Sequence, residues 1–304
     1  MSAPEIGRLA IIGAGLIGSS IARAAREKGL AGTVVVGDGS LTVRQRVREL
    51  GFADVVAETS AEAADGADIV IACVPVGASA AVAEEIAPAL KPGAIVSDVG
   101  SVKAAVEAAM APHLPAYAHL VPAHPVAGTE FSGPDAGFAS LFENRWCIVT
   151  PPEGADPVAV ERVVALWRGM GANVECMSAR HHDLVLAITS HVPHLIAYNI
   201  VGTAAHLEET LTSEVIKFSA GGFRDFTRIA ASDPTMWRDV FLNNREAVLE
   251  MLGRFNEDLS QLQRAIRYGD GQALFDHFSR TRDIRRSIIE QGQETAAPDF
   301  GRRG

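Results

Sequence analysis

Three glycines set the first chemistry available to this chain. Gly13-Ala14-Gly15-Leu16-Ile17-Gly18 has the spacing G-x-G-x-x-G, between the apolar run Leu9 to Ile12 and an alanine-rich helical segment that Gly29 ends. In that setting Gly13 permits the tight turn, Gly15 lets backbone approach a pyrophosphate, and Gly18 lets helix and strand pack closely. The helix that starts at Leu16 and Ile17 then turns its free N–H groups toward the phosphates. Asp38 follows Gly18 by 20 residues, at the end of the next β-branched run. A carboxylate there can accept from both ribose hydroxyls and repel a 2′-phosphate. The pattern predicts a dinucleotide cofactor, NAD before NADP, with Arg44 and Arg46 near enough to leave NADP use open.

Three further stretches belong where loops leave the carboxyl edge of such a sheet, the edge at which open α/β sheets bind ligands. Cys73-Val74-Pro75-Val76 ends one strand, which places Val74 and Pro75 beside the cofactor. Asp98 to Lys103 follows the next strand, and Ser101 is expected to cap a helix beginning at Val102. A hydroxyl at that point can also serve a substrate. His124, in a Pro/Gly-rich loop that runs to about Gly137, has no helical or strand periodicity around it. An imidazole near pKa 6.5 can take a hydroxyl proton while hydride leaves the same carbon. His191 and His194 share a helix face, but Pro193 intervenes and no carboxylate lies at ligand spacing, so no metal site is expected. Cys73, Cys147 and Cys176 are odd in number and widely spaced, which fits buried thiols in a reducing cytoplasm better than a disulfide framework.

These groups need a scaffold, and the order of elements supplies one. Leu9 to Ile12, Thr33 to Val36, Ile69 to Val74 and Ala94 to Ser97 are short apolar strands separated by helix-length segments. Such alternation argues for a parallel sheet covered on both faces. Trp146 to Thr150 and Asn173 to Met177 are two more strands flanking a helix from Val158 to Met170. After Ala179 strand signals stop. Val185 to His206 is a long apolar helix, and Arg238 to Arg267 carries Phe241, Val248, Met251, Phe255, Leu259, Leu262 and Ile266 on one stripe. Another helix is expected over Gly271 to Glu290. The fold class is therefore α/β: a Rossmann-type doubly wound domain over 1–178, an all-helical domain over 179–292, and a polar tail over 293–304. A stripe of that length is hidden more easily by pairing than within one small domain, so a homodimer is expected.

Composition narrows the classes further. The chain has 304 residues, 48% hydrophobic and 21% charged, which excludes a disordered or fibrous protein. Its net charge of −10 repels phosphate backbones, so nucleic acid is not an expected partner. The longest charge-free apolar stretch with a strand-like start, Ile69 to Ala83, is interrupted by Pro75 and Gly77 and falls short of the ~18–20 residues of a membrane span. The first residues carry Glu5 and no basic run, so a secretory leader is not expected.

GAGLIGSS, CVPV, DVGSVK, HPVAGTE, SHVPH and GGFRDFTRIAASDPTMWRD occur in order between Gly13 and Asp239, within a similarity that runs over about residues 7 to 290. Together they resemble the prephenate/arogenate dehydrogenase family, the bacterial cyclohexadienyl dehydrogenases most closely. The resemblance implies a Rossmann domain followed by a helical dimerisation domain. The implied activity is NAD-dependent oxidative decarboxylation of prephenate to 4-hydroxyphenylpyruvate, or of arogenate to tyrosine, in tyrosine biosynthesis. By the same resemblance His124 hydrogen-bonds the ring hydroxyl as catalytic residue, and Ser101 contacts that hydroxyl and the nicotinamide. His194 lies in the substrate pocket, Arg228 binds a substrate carboxylate, and Glu130, Gly221 and Trp237 fill the remaining pocket positions. A dianionic substrate on an acidic protein needs a fixed cation, and a guanidinium offers a bidentate fork. A β-hydroxyacid-type dehydrogenase is the first alternative, but it uses a lysine on the long helix after the Rossmann domain, and Val185 to His206 contains none. A non-enzymatic NAD-sensing protein is the second; it would leave His124, Ser101 and Arg228 without a joint arrangement.

Overall fold

The computed structural model describes residues 6–129, 131–206 and 221–288. Six parallel strands form the first sheet: β1 (Ile6–Ile12), β2 (Ala31–Gly37), β3 (Val55–Ala57), β4 (Ile69–Ala72), β5 (Ile95–Asp98) and β6 (His119–Leu120). Their order is β3-β2-β1-β4-β5-β6. Alternate residues of each strand feed opposite faces. Leu9 and Ile11 join Val34, Val36, Ile69 and Ile71 in one buried cluster, while Ala10 and Ile12 join Val35, Val70 and Val96 in another. Both faces are thus apolar, as a parallel sheet covered by helices requires. The order runs outward from β1 in both directions, so the loops after β1 and β4 flank the switch point where ligands bind.

The helices are α1 (Leu16–Glu27), α2 (Leu41–Leu50), α3 (Ser60–Ala64), α4 (Ser79–Ile86) and α5 (Lys103–Met110). Strands β3 and β6 are absent from the sequence reading: each spans at most three residues, too few to show a period. A second sheet follows, with β7 (Ala123–Pro125) antiparallel to β8 (Trp146–Val149), and β8 parallel to β9 (Asn173–Cys176). His124 therefore lies in a strand, opposite Ile148, and not in a loop. Pro125 hides that strand from a sequence reading, because proline belongs only at strand ends and edges.

Helix α6 (Pro157–Gly169) joins β8 to β9. From Ala179 the described chain is helical: α7 (Ala179–Leu186), a π-helical turn (Ala187–His191), α8 (Val192–Ala205), α9 (Gly221–Thr227), α10 (Pro234–Asn243), α11 (Arg245–Tyr268) and α12 (Gly271–Ile288). The expected single helix over Arg238 to Arg267 is broken at Asn244, whose buried side chain is hydrogen-bonded to Asp183 and His191. That break divides the apolar stripe. Val248 and Met251 are buried, whereas Leu259 and Ile266 are exposed. The run Ala179–Ala205 is, by length and composition, apolar enough to cross a membrane, which the sequence reading overlooked. Of its apolar window 28% is buried, and its polar residues His182, Asp183 and His191 are buried and hydrogen-bonded. By compactness the chain divides into Met1–Val248, which takes α7 to α10 together with the sheets, and Leu249–Gly304.

Candidate active site

The glycine turn fits a dinucleotide closely. Gly13 has φ +98°, and a Cβ there would lie 2.4 Å from the carbonyl oxygen of Cys73. A Cβ on Gly18 would lie 1.9 Å from the Gly13 carbonyl oxygen, so helix and turn touch through backbone alone. Gly15 faces open space, and the N-terminus of α1 has no side-chain cap, which leaves its N–H groups for a pyrophosphate. Leu16 and Ile17, the first residues of α1, pack partly buried against the core. Half-buried Val74 lies beside Gly13, and exposed Pro75 follows it. Asp38 Oδ2 accepts from Ala14 N–H at 2.9 Å and Oδ1 from Ser40 N–H at 2.8 Å. Its carboxylate thus ties the end of β2 to the glycine turn. Arg46 is engaged by Asp135 and Glu49, while Arg44 donates to the carbonyl of Asp38 at 2.6 Å and stays beside the ribose position.

In the second sheet, β7 carries His124, which is buried. Its Nδ1 lies 2.8 Å from Nε2 of His182, and Nδ1 of His182 lies 2.8 Å from Oδ1 of Asp183. Asp183 in turn accepts the first N–H groups of α5, from Lys103 at 2.7 Å and Ala104 at 3.0 Å. The carboxylate that caps α5 therefore comes from α7. Ser101 does not cap: Val102 occupies the N-cap position without a side-chain bond, and Ser101 stays half-buried on the segment between β5 and α5. Lys103 is fully buried. Its Nζ pairs with Asp98 and donates to the carbonyl of Ala123 at 2.8 Å, while Asp98 Oδ1 accepts Ala123 N–H at 3.2 Å. One buried ion pair thus grips the residue before His124 at both its N–H and its carbonyl.

A second cluster adjoins this one. His194, on α8, stacks on Trp237 of α10 with ring centroids 3.7 Å apart. Its Nδ1 donates to the Ser190 carbonyl at 2.8 Å, so its Nε2 holds the lone pair. Trp237 is buried in a cluster with Val102, the neighbour of Ser101, and edges onto the ring of His191. Arg228 is exposed, close enough for its charge to act on His194, and Gly221 opens α9, which packs on α8. Glu130 lies outside the described residues. Sequence-expected Ser101, His124, His194 and Trp237 are thus linked by contacts on α5, α7, α8 and α10.

Burial holds these imidazoles neutral. His124 is pushed well below the usual histidine range, by desolvation first and then by His182, Lys103 and His191. His182 is lowered by desolvation, against the opposing pull of Asp183. His191 is lowered to about 4, again mainly by desolvation. Lys103 is lowered as well, its burial outweighing the charge of Asp98. The chemistry this permits is proton acceptance by a neutral imidazole beside a dinucleotide. His182, Asp183, Lys103, Asp98 and Asn244 were all missed by the sequence reading. Their only sequence signal is a His-His-Asp run at the start of a helix and a lysine inside the DVGSVK stretch.

Comparison with known proteins bears on this geometry. Residues 21–176 match the family model for the prephenate dehydrogenase nucleotide-binding domain, and residues 178–280 the one for the prephenate dehydrogenase dimerization domain. A cyclohexadienyl dehydrogenase of Zymomonas mobilis is 44% identical over 280 residues, covering 92% of this chain and 95% of that protein. A prephenate dehydrogenase of Bacillus subtilis is 34% identical over 291 residues, 95% of this chain and 78% of that protein. The crystal structure of prephenate dehydrogenase from A. aeolicus in complex with hydroxyphenyl propionate and NAD+ superposes with a TM-score of 0.86 at 30% identity, covering 94% of this chain and all of that one.

Proposed function

The chain belongs to the prephenate dehydrogenase family, an NAD-dependent oxidoreductase, and on that premise we propose that it oxidatively decarboxylates prephenate, arogenate or both, in tyrosine biosynthesis in the cytoplasm. The observation that carries this reading is His124: a neutral, buried imidazole anchored through Nδ1 and tied, through the neighbouring Ala123, to Asp98 at the carboxyl end of β5. NAD, which the Gly13 to Gly18 turn and Asp38 would hold, would supply the acceptor for the hydride of the ring carbon that bears the hydroxyl. His124 takes the hydroxyl proton as the carbon–hydrogen bond breaks, which leaves a cyclohexadienone. The ring carboxylate then departs as CO₂, its electron pair restores aromaticity, and His124 returns the proton to the phenolate oxygen. No proton is released overall.

The remaining roles are those that the family resemblance implies. Ser101 orients the hydroxyl beside the nicotinamide. His194, with its Nε2 lone pair fixed by the Ser190 carbonyl, and Trp237 shape the ring pocket. Arg228, Glu130 and Gly221 complete the substrate side, with Arg228 the cation for a carboxylate. The cofactor side is Gly13, Gly15, Leu16, Ile17, Gly18, Asp38, Val74 and Pro75, with Arg44 as the group that would admit NADP. We further propose residues 1–178 as the dinucleotide-binding part and 179–292 as the part that builds the substrate pocket and the homodimer, with no metal in the reaction. The described cysteines are free thiols, but the expectation that they are buried holds only for Cys147: Cys73 is half-buried and Cys176 exposed. Steady-state kinetics with prephenate and arogenate, each with NAD and NADP, test the reading. Turnover of either substrate with NAD supports it, and none with any pair overturns it.

A further inference from the structure

We infer that His182 and Asp183 are positioning residues that fix which nitrogen of His124 carries the proton; this rests on the base role given to His124 above. The assignment follows from counting donors and acceptors. Asp183 Oδ1 takes the main-chain N–H of Lys103 and faces Nδ1 of His182, while Oδ2 takes the N–H of Ala104. A carboxylate so placed only accepts, so His182 carries its proton on Nδ1 and leaves Nε2 as a lone pair. That lone pair lies 2.8 Å from Nδ1 of His124, which must then donate to it. Nε2 of His124 is left as the base. Free imidazole side chains in water favour the opposite tautomer, with the proton on Nε2, so the relay reverses an intrinsic preference.

The surroundings keep the relay in this state. A doubly protonated His182 would donate from Nε2, turn His124 around and place a proton where the base must be. Burial opposes that charge. The groups facing the pair are Lys103 from α5, Asp98 from β5, Cys147 from β8 and His191 from the π turn, besides Asp183 itself. Asn244 adds a stay from below: its Nδ2 donates to the main-chain carbonyl of Asp183 at 2.8 Å and to Nδ1 of His191 at 3.0 Å. The arrangement resembles the logic by which a buried carboxylate sets the tautomer of a catalytic histidine in hydrolases, with one imidazole interposed.

Long-range ¹H–¹⁵N correlation spectra of the wild-type protein test this without any variant at His182, His124 being assigned by its loss in His124→Asn. The expected result is a proton on Nδ1 of His124 at pH 7; a proton on Nε2 overturns the inference. Kinetics supply the second arm. His182→Leu removes the acceptor and should lower kcat by about 10²-fold, the lower end of what general-base assistance contributes. KM and the NAD dissociation constant should hold. His182→Gln, whose Oε1 can accept from His124, should recover part of the loss. Wild-type kcat in His182→Leu, alongside a large loss in His124→Asn, removes the relay and keeps the base. Undiminished kcat in His124→Asn removes the base itself.

Discussion

The carboxylate of Asp183 accepts the main-chain N–H of Lys103 at 2.7 Å, across 80 residues of sequence. This bond joins the two structures that hold His124. Through its side chain Lys103 fixes Ala123, and through its main chain it fixes the carboxylate on which His182 rests. A charge buried this deeply is tolerated only because each partner has its bonds made. The imidazole is therefore held from the strand side and from the helix side by one residue.

The glycine turn gives the sharpest steric expectation. In Gly18→Ala the new methyl group would stand 1.9 Å from the Gly13 carbonyl oxygen, a backbone atom with no room to yield. The variant should lose NAD binding by at least about tenfold and lose stability by more than the ~1 kcal/mol scale of an ordinary core change. Calorimetric NAD titration and urea unfolding read both. Wild-type affinity in Gly18→Ala would mean that the turn does not hold the cofactor.

Cofactor choice should turn on Asp38. Its carboxylate repels a 2′-phosphate at close range, while Arg44 stands ready to attract one. Asp38→Ser should gain NADP relative to NAD in kcat/KM. The same substitution removes the bonds to Ala14 and Ser40, so absolute activity should fall with both cofactors. An unchanged ratio would place the discrimination elsewhere.

His124 and Arg228 should separate kinetically. His124→Asn keeps a polar side chain that cannot titrate, and kcat should fall by ~10²–10⁴-fold at nearly unchanged NAD affinity. Arg228→Ala should act mainly on KM, because a carboxylate contact serves ground and transition state alike. Wild-type kcat should rise with pH as His124 loses its proton. With that histidine pushed well below 6.5, the limb belongs on the acid side of the ordinary range, and a plateau should be reached by neutral pH. A limb centred above 6.5 would contradict the burial of this group.

Acid should also unfold the protein. His124, His182 and His191 are all lowered in the folded state, chiefly by desolvation, with His191 at about 4. Between that value and the unfolded 6.5, the unfolded chain binds more protons, so stability rises with pH across the window and flattens above it. Each such group contributes about 1.4 kcal/mol per pH unit while it is out of balance. Urea midpoints should fall steadily from pH 6.5 toward 4.5, and less steeply in His191→Gln. A flat profile would show that these imidazoles are not buried neutral.

Association should run through the C-terminal helices. Leu259 and Ile266 on α11, and Phe275, Phe278 and Ile284 on α12, are each at least half exposed. So much apolar surface calls for a partner, and the matched dimerization-domain model spans them up to residue 280. Sedimentation at micromolar concentration should give twice the chain mass, and an Ile266→Asp, Phe275→Asp double variant should give the monomer. A wild-type monomer would end the idea.

The sheet and the glycine turn were open to a sequence reading because both rest on local rules. Apolar runs such as Ile69 to Ala72 bury both faces, and Gly13 to Gly18 has a spacing that backbone sterics demand. The support of His124 obeys no local rule. His182 and Asp183 open α7 as polar residues that would suit a solvated first turn, and Lys103 looks like any surface lysine. Only tertiary packing turns them inward. Asn244 was hidden for the opposite reason: the apolar stripe continues past it, so the break it makes between α10 and α11 leaves no trace in the period.

The π turn at Ala187–His191 holds a residue more than the α-helix around it would need. Were that extra residue wound in as ordinary α-helix, everything beyond it would swing by about 100°. His182 and Asp183 would keep their places, while His194 would leave the ring of Trp237 and Tyr198 the carbonyl of Ser232. The bulge thus keeps the proton-handling side and the ring-holding side of the pocket in phase, and straightening it would uncouple them without altering any residue in either.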